Sequence, residues 1–258
     1  MSERAYDALA FLYDYLQKDL SSEKWADFLF SLIQKNISCA PSGENNAYSV
    51  CDLGCGTAKV SISMSKLGFE VQGVDQSPFM LDQAVKNCEK ENLSLFFSCQ
   101  DIRRFSLPEK ADVFLCLLDT INHILTEKDL KKVFESVRQN LQKGGLFIFD
   151  MVTPFYLENR LGNQMFYTIE EDFSLFWENR FLKKSRMSYS DISLYIRSKG
   201  ELFRREELQI KEKAYSVSEI ESFLAAAGLS LKGIYGDLKK MAPREEEERI
   251  FFVAEKSE

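Results

Sequence analysis

The chain has 258 residues, of which 45% are hydrophobic, and a formal net charge of −7. That length and apolar content suffice for a full core, and they fit one α/β domain carrying an insertion better than two independent domains. The acidic balance argues against broad phosphate-backbone binding, which needs basic surface, so a small substrate is favoured and no nucleic-acid partner is expected.

Helical periodicity starts at once. Residues 3–18 place Tyr6, Leu9, Ala10, Tyr13 and Leu16 at helical spacing, and 24–37 set Trp25, Phe28, Leu29 and Leu32 on one side. Charges interrupt the first apolar repeat and no small-residue cleavage site follows a hydrophobic core, so this is not a signal peptide. No apolar run is long enough to span a bilayer, which gives a cytoplasmic expectation with no membrane partner. Pro, Gly and Asn at 38–46 end this helical preface.

The stretch Val50 to Lys59, VCDLGCGTAK, then joins a strand to a helix through Gly54 and Gly56, where a backbone must lie flush against a ligand. A dinucleotide cradle would need a third glycine at the place of Lys59, whose long cationic side chain must leave the strand–helix contact. The nicotinamide-dependent oxidoreductase reading therefore loses. A helix over 57–67 and a strand over 69–74 follow, with Asp75 at the strand's end. Next come a helix over 78–91, a strand over 94–98 leading to Gln100-Asp101-Ile102, a strand over 112–117, a helix over 127–141 and a strand over 146–151. Gly144-Gly145 reads as the helix stop before that last strand. The alternation implies right-handed crossovers, a parallel sheet and ligands gathered at the strands' C-terminal ends. Asp52, Asp75 and Asp101 then stand at three successive strand tips.

Beyond Asp150 the texture changes. Residues 165–169, 173–182, 187–197 and 202–214 read as strands of an antiparallel insertion, with Arg180, Tyr189, Tyr195, Arg204 and Arg205 available as an acceptor wall. A helix over 216–227, capped by Ser216 or Ser218 and ended by Gly228, precedes strands near 230–235 and 249–254, and 245–248 reads as a solvated acidic loop. Of the six cysteines (39, 51, 55, 88, 99 and 116), four sit in or beside predicted strands as buried free thiols. With one histidine in the chain there is no ligand set for zinc, and no metal is expected.

The segment Asp52 to Ala58 resembles motif I of the class I S-adenosylmethionine (SAM) methyltransferases, in which a glycine often stands at the place of Ala58. The resemblance extends over nearly the whole chain, through Tyr6-Asp7, Tyr13-Asp14 and Trp25, CLLDTINHI at 116–124, LQKGGLFIFD at 141–150 and KAYSVSEIESFLAAAG at 213–228. It points to a bacterial small-molecule group related to sugar N,N-dimethyltransferases and glycine N-methyltransferase. It implies a Rossmann-like α/β fold with a seven-stranded, mostly parallel sheet, an N-terminal helical lid (1–46), a SAM-binding domain (47–152 and 214–258) and an inserted antiparallel sheet on the substrate side (153–213). It also implies SAM as cofactor, S-adenosylhomocysteine (SAH) as product, a small-molecule acceptor at nitrogen or oxygen, and a monomer or weak homodimer. RNA or protein methylation, and a SAM- or SAH-binding module without turnover, stay open as alternatives.

Carried over residue by residue, the resemblance sets Tyr13, Trp25, Asp52, Gly54, Gly56, Asp75, Gln76, Asp101, Ile102 and Leu118 against the cofactor. Asp52 would face its amino acid end, Asp75 the ribose hydroxyls, Asp101 the adenine amine and Tyr13 the methionine carboxylate. Asp119, Asn122 and His123, in the position of motif IV, would orient the acceptor, with His123 suited to proton removal near neutral pH. The same residues also fit a plainer role: Asp119 and Asn122 bonding to backbone, His123 packing on the sheet, and Tyr6 and Trp25 filling an aromatic core. Two departures separate the chain from the resembled group: His123 stands where tyrosine is usual, and Ile210 where a histidine is often found. The acceptor therefore cannot be inherited by analogy.

Overall fold

A computed structural model describes residues 3–256, with the side chains of 9, 10 and 12–256; the side chain of Tyr6 lies outside the described residues. Helices α1 (Glu3–Leu16) and α2 (Ser22–Asn36) precede β1 (Ser49–Leu53), α3 (Lys59–Lys66), β2 (Glu70–Asp75), α4 (Pro78–Lys90), β3 (Phe96–Cys99), β4 (Ala111–Cys116), α5 (Glu127–Asn140) and β5 (Leu141–Val152). Four strands follow, β6 (Met165–Ile169), β7 (Phe173–Leu182), β8 (Met187–Lys199) and β9 (Leu202–Lys213), then α6 (Val217–Ala226), β10 (Leu229–Gly236) and β11 (Arg249–Lys256).

The main sheet has the order β3-β2-β1-β4-β5-β11-β10. Its strands are parallel from β3 to β5, and β11 runs antiparallel to both β5 and β10. Strand order reverses between β1 and β4, which opens a crevice at their C-terminal tips. Strands β6 to β9 make a separate antiparallel sheet. The α/β class, the seven-stranded Rossmann-like sheet and the inserted antiparallel sheet expected from the sequence are all present.

Alternate residues of the central strands enter two different cores, which is why those strands read as continuous apolar runs. Phe114, Phe147, Phe149 and Phe252 pack with Phe134 of α5 and Leu224 of α6. Val113, Leu115, Ile148, Phe251 and Val253 pack with Leu29 and Ile33 of α2. Each such fully buried side chain is worth roughly 1.5–3 kcal/mol, so these two layers fix the sheet that carries the strand tips. A third cluster joins Leu9 and Leu12 of α1 to Phe173, Leu175, Ile192, Leu194 and Ile210, so α1 rests on the antiparallel sheet. Among the described residues, no helix is long and apolar enough to cross a membrane.

Helix starts follow local chemistry. Ser21, Ser77 and Thr126 cap α2, α4 and α5, and Ser216 forms a reciprocal capping box with Glu219 on α6. Gly144-Gly145 does not act as the expected helix stop. Helix α5 ends at Asn140, and Leu141 already pairs with Ala111 in β5. The glycines serve an irregularity within the strand instead: Gly144 has φ +75°, and a Cβ on it would lie 2.7 Å from Ser38 Oγ.

Candidate active site

The turn after β1 builds one half of the site. Gly54 (φ +70°) and Gly56 (φ +53°) are left-handed, and a Cβ on Gly54 would fall 2.7 Å from Thr120 Cγ2, so no side chain fits there. A Cβ on Gly56 would meet Tyr13 Cε1 at 3.6 Å, which places the Tyr13 ring directly over the turn. Ala58 is also left-handed (φ 65°), which delays α3 to Lys59 and gives a steric reason for glycine at this place. The Asp75 carboxylate accepts from the Gly56 and Ser77 N–H groups, each at 2.9 Å, and so locks the β2 tip to the glycine turn. Asp52 is buried and accepts from Ser61 Oγ at 2.5 Å. Burial pushes its carboxyl up to about 7, against the opposing pull of Ser61. Burial would also raise Asp101, but Arg103 grips it with Nε–Oδ1 at 2.9 Å and Nη2–Oδ2 at 2.7 Å, which outweighs that and holds it below its ordinary value.

The tips of β4, β5 and β11 build the other half. Leu118 and Asp119 both have positive φ, at 55° and 57°, a conformation costly for residues with side chains. The buried Asp150 carboxylate holds them there, accepting from Leu118 N–H at 2.6 Å and Asp119 N–H at 3.1 Å. Arg249 lies between the acids, bonded to Asp150 through Nη1 and to Asp119 Oδ1 through Nη2 at 2.9 Å. Next to it, His123 Nε2 lies 3.7 Å from Asp119 Oδ2, and Nδ1 is 3.2 Å from the Lys211 carbonyl. A carbonyl can only accept, so Nδ1 carries the proton and neutral His123 has its lone pair on Nε2. Burial alone would lower the His123 pKa, but Asp119 and Glu212 outweigh it and raise it above the ordinary value. Burial raises the Glu212 carboxyl, with His123 pulling the other way. On Asp119, Arg249 and His123 outweigh burial and hold the carboxyl low.

A cavity of about 340 Å³ unites the two halves. Tyr13, Gly54, Gly56, Asp75, Gln76, Asp101, Ile102 and Leu118 line it on one side, and His123, Ile124, Leu125, Ile210 and Lys211 on the other. A side pocket of about 30 Å³ leads off between Tyr13, Gln17, Asp52 and Lys59.

Residues 50–145 match the family model described as a methyltransferase domain. A protein of Geobacillus sp. (strain WCH70) that carries a methyltransferase designation is 26% identical over 97% of this chain and 99% of its own length. The crystal structure of an S-adenosylmethionine-dependent methyltransferase from Clostridium acetobutylicum ATCC 824 is 28% identical, covers 98% of this chain and 99% of its own, and superposes with a TM-score of 0.83. The matched domain, the similarity over almost the full length and the shared fold support a class I SAM-dependent methyltransferase. The sugar N-methyltransferase KedS8 from Streptoalloteichus sp. ATCC 53650 shares the fold at 16% identity, with a TM-score of 0.74 over 95% of this chain and 91% of its own.

SAM is the cofactor of this family, and this methyltransferase has a cradle that suits it: a flush glycine turn, carboxylates at the β1, β2 and β3 tips and a cavity of ligand size above them. Of the residues expected at the cofactor, Asp52 reaches only the side pocket and Trp25 reaches neither cavity. Trp25 is buried edge-on against Phe251, with the Arg249 guanidinium 5.5 Å from its ring centre, because α2 turns its apolar stripe to the sheet. Asn122 is likewise away from the cavity. Its amide donates to the Val152 and Lys213 carbonyls at 3.1 and 3.0 Å and accepts from Val152 N–H at 3.0 Å, so its polar atoms stitch backbone together. Asp119 stands behind His123 and lines neither cavity.

The expected acceptor wall is also different. Arg180 lies over Tyr189, Arg204 and Arg205 pair with Glu206 and Glu207, and β9 supplies Ile210 and Lys211 to the cavity instead. Sequence reasoning missed Asp150, Glu212 and Arg249. Asp150 had a readable signal, a fourth acid at a strand tip; Arg249 was hidden at the end of an acidic run. The fold also gathers ligand-type atoms of Asp119, His123 and Glu212 within 4.8 Å of one another, an arrangement that their separation along the chain conceals.

Proposed function

We propose that this methyltransferase carries the methyl group of SAM to a nitrogen or oxygen of a small-molecule acceptor, in the cytoplasm, as a monomer or weak homodimer. One observation carries the reading: the cradle residues and His123 line a single cavity of about 340 Å³, which falls in the size range of small-ligand sites. The fold shared with the sugar N-methyltransferase KedS8 is compatible with an amine acceptor.

In this assignment Asp75 would hold the ribose hydroxyls, Gln76, Asp101 and Ile102 the adenine, and the Gly54–Gly56 backbone would admit the sulfonium end. Tyr13 and Asp52 address the two charges of the methionine end. When bound, SAM supplies a methyl group activated by positive sulfur. The protein's task is to hold the acceptor in line with it and to exclude water. A protonated acceptor must lose a proton when its nitrogen or oxygen takes the methyl group and SAH leaves, and in this reading neutral His123, which lines the cavity, would accept it. Asp119 and Glu212 stabilise the resulting imidazolium, while Arg249 keeps Asp119 in place. Ile210 and Lys211 then bound the acceptor's space.

Methyl-labelled SAM, incubated with the protein and fractionated cell extract, tests this. Label is expected in a small, protease- and nuclease-resistant product. Incorporation confined to RNA or protein would overturn the acceptor class.

A further inference from the structure

Glu212 is a buried carboxylate without a counter-charge of its own. It is 7% exposed, and among the described residues no group donates a hydrogen bond to its side chain. The cations nearby are engaged elsewhere. Arg249 is shared between Asp150 and Asp119, Lys211 Nζ lies 5.6 Å from the centre of the Tyr189 ring, and Lys213 Nζ donates to the Ser185 carbonyl at 2.5 Å. Directly across the ladder from Glu212 stands Ser188, 1% exposed, whose hydroxyl has no partner. Residues opposite one another on antiparallel strands turn their side chains to the same face. Burying polar groups unpaired is costly, so these two orphaned groups at one spot point to a ligand, and the unneutralised carboxylate points to a cation.

Three donors converge there. Glu212, Asp119 and His123 each bring a ligand-type atom within 4.8 Å of the other two, so one point lies no more than about 2.8 Å from all three, and shifts of less than about 1 Å bring them to the roughly 2.0–2.2 Å of imidazole and carboxylate ligands on zinc. His123 Nε2 and Asp119 Oδ2 are 3.7 Å apart. Two donors at about 2.1 Å from one ion have that separation at an angle of about 120°. Both are oriented from outside: the Lys211 carbonyl anchors Nδ1 of His123 and leaves the Nε2 lone pair for the site, and Arg249 holds the other oxygen of Asp119. The His123 and Asp119 side chains keep 23% and 27% of their exposure, so an ion can enter. A single histidine suffices because two carboxylates from distant stretches complete the set.

We propose that Glu212, Asp119 and His123 form a site for a divalent transition-metal ion such as Zn2+, with open positions for water beside Ser188. The ion takes the Nε2 lone pair, so metal and proton compete for it and the loaded protein cannot take a proton from the acceptor. The site rests on its own contacts; only this inhibition rests on the role given to His123 above.

NMR of the untagged full chain reads the site directly, because its one histidine is a ligand. With Zn2+ added at a pH above the folded pKa of His123, the ring signals are expected to move to a new position that no longer titrates, and to saturate at one ion per chain. Zinc held by thiols elsewhere leaves these signals in place. By the same signals, Glu212→Gln should weaken the ion at least about tenfold, and Asp119→Asn should weaken it too, which keeps the test alive if one of the two variants fails to fold. Ring signals of the unaltered protein that ignore millimolar Zn2+ overturn the site. Equal affinity in the unaltered protein and the variants does the same, since His123 would then hold the ion without the carboxylates. In the labelled-SAM assay with cell extract, Zn2+ should suppress product over the concentrations that move the His123 signals. Full turnover by the loaded protein overturns the inhibition. An extract that yields no product even without zinc overturns the function proposed above, and the His123 signals still decide the site.

Discussion

The cradle and the acceptor side share one cavity but are built in different ways. The cradle is made of backbone turned by Gly54 and Gly56 and of carboxylates that each end a strand, so every part sits within a few residues of the element that places it. The acceptor side is made of side chains from four distant stretches, Asp119, Asp150, Glu212 and Arg249, meeting around His123. Local construction makes the first half tolerant, since the bonds from Gly54 and Cys55 N–H to the Val74 carbonyl still tie the turn to β2 when the Asp75 carboxylate is lost. Mutual charge neutralisation makes the second half brittle, because removing one ion leaves another buried without its partner.

The sharpest test of that contrast is Arg249→Leu, which leaves the fully buried Asp150 uncompensated beside Asp119. We expect a loss of about 3–5 kcal/mol in chemical denaturation. A loss below 1 kcal/mol would show that the acceptor side is not held together by this ion cluster. In the cradle, Asp75→Ala should weaken SAH binding by about 1–3 kcal/mol in calorimetry while the protein stays folded. Unchanged affinity would remove the ribose assignment.

The proton chemistry offers a finer comparison. The chain has one histidine, so NMR titration reads His123 without assignment. Its pKa should lie above 6.5 and fall in Asp119→Asn, which removes the contact that most raises it. Because the folded pKa is raised, this contact stabilises the protein below the unfolded pKa, and that stability is lost as pH rises through the folded one. Methyl transfer to a protonated acceptor should rise over the same window, as neutral His123 appears. A folded pKa at or below 6.5 would deny the carboxylates their role. The smallest effect is expected at Ala58→Gly. Relief of a left-handed residue is worth about 1–2 kcal/mol, and the lost burial of one methyl about 0.8 kcal/mol. A net gain within about 1 kcal/mol by thermal denaturation is therefore expected, and a clear loss would show that the turn is not strained.

What was legible in the chain follows this division. Strand and helix periods placed β6 and β7 to the residue and most other elements within three residues, because binary patterns report burial directly. β5 is the exception: it starts at Leu141 rather than near 146, because a glycine-rich strand irregularity looks the same in sequence as a helix stop. His123 and Asp119 were readable as residues with chemistry, yet nothing local told that Asn122 would bind only backbone or that Trp25 would face the sheet.

By itself, then, the sequence determined the alternation of strands and helices, the glycine turn and the acids at successive strand tips, since each depends on spacing along one stretch of chain. Only the tertiary structure decided that Arg249 neutralises Asp119 and Asp150, that Glu212 reaches His123, and that α1 bridges the cradle to the antiparallel sheet. Those contacts join segments that are far apart in the chain, and they exist only once the sheet brings its strand tips to one edge.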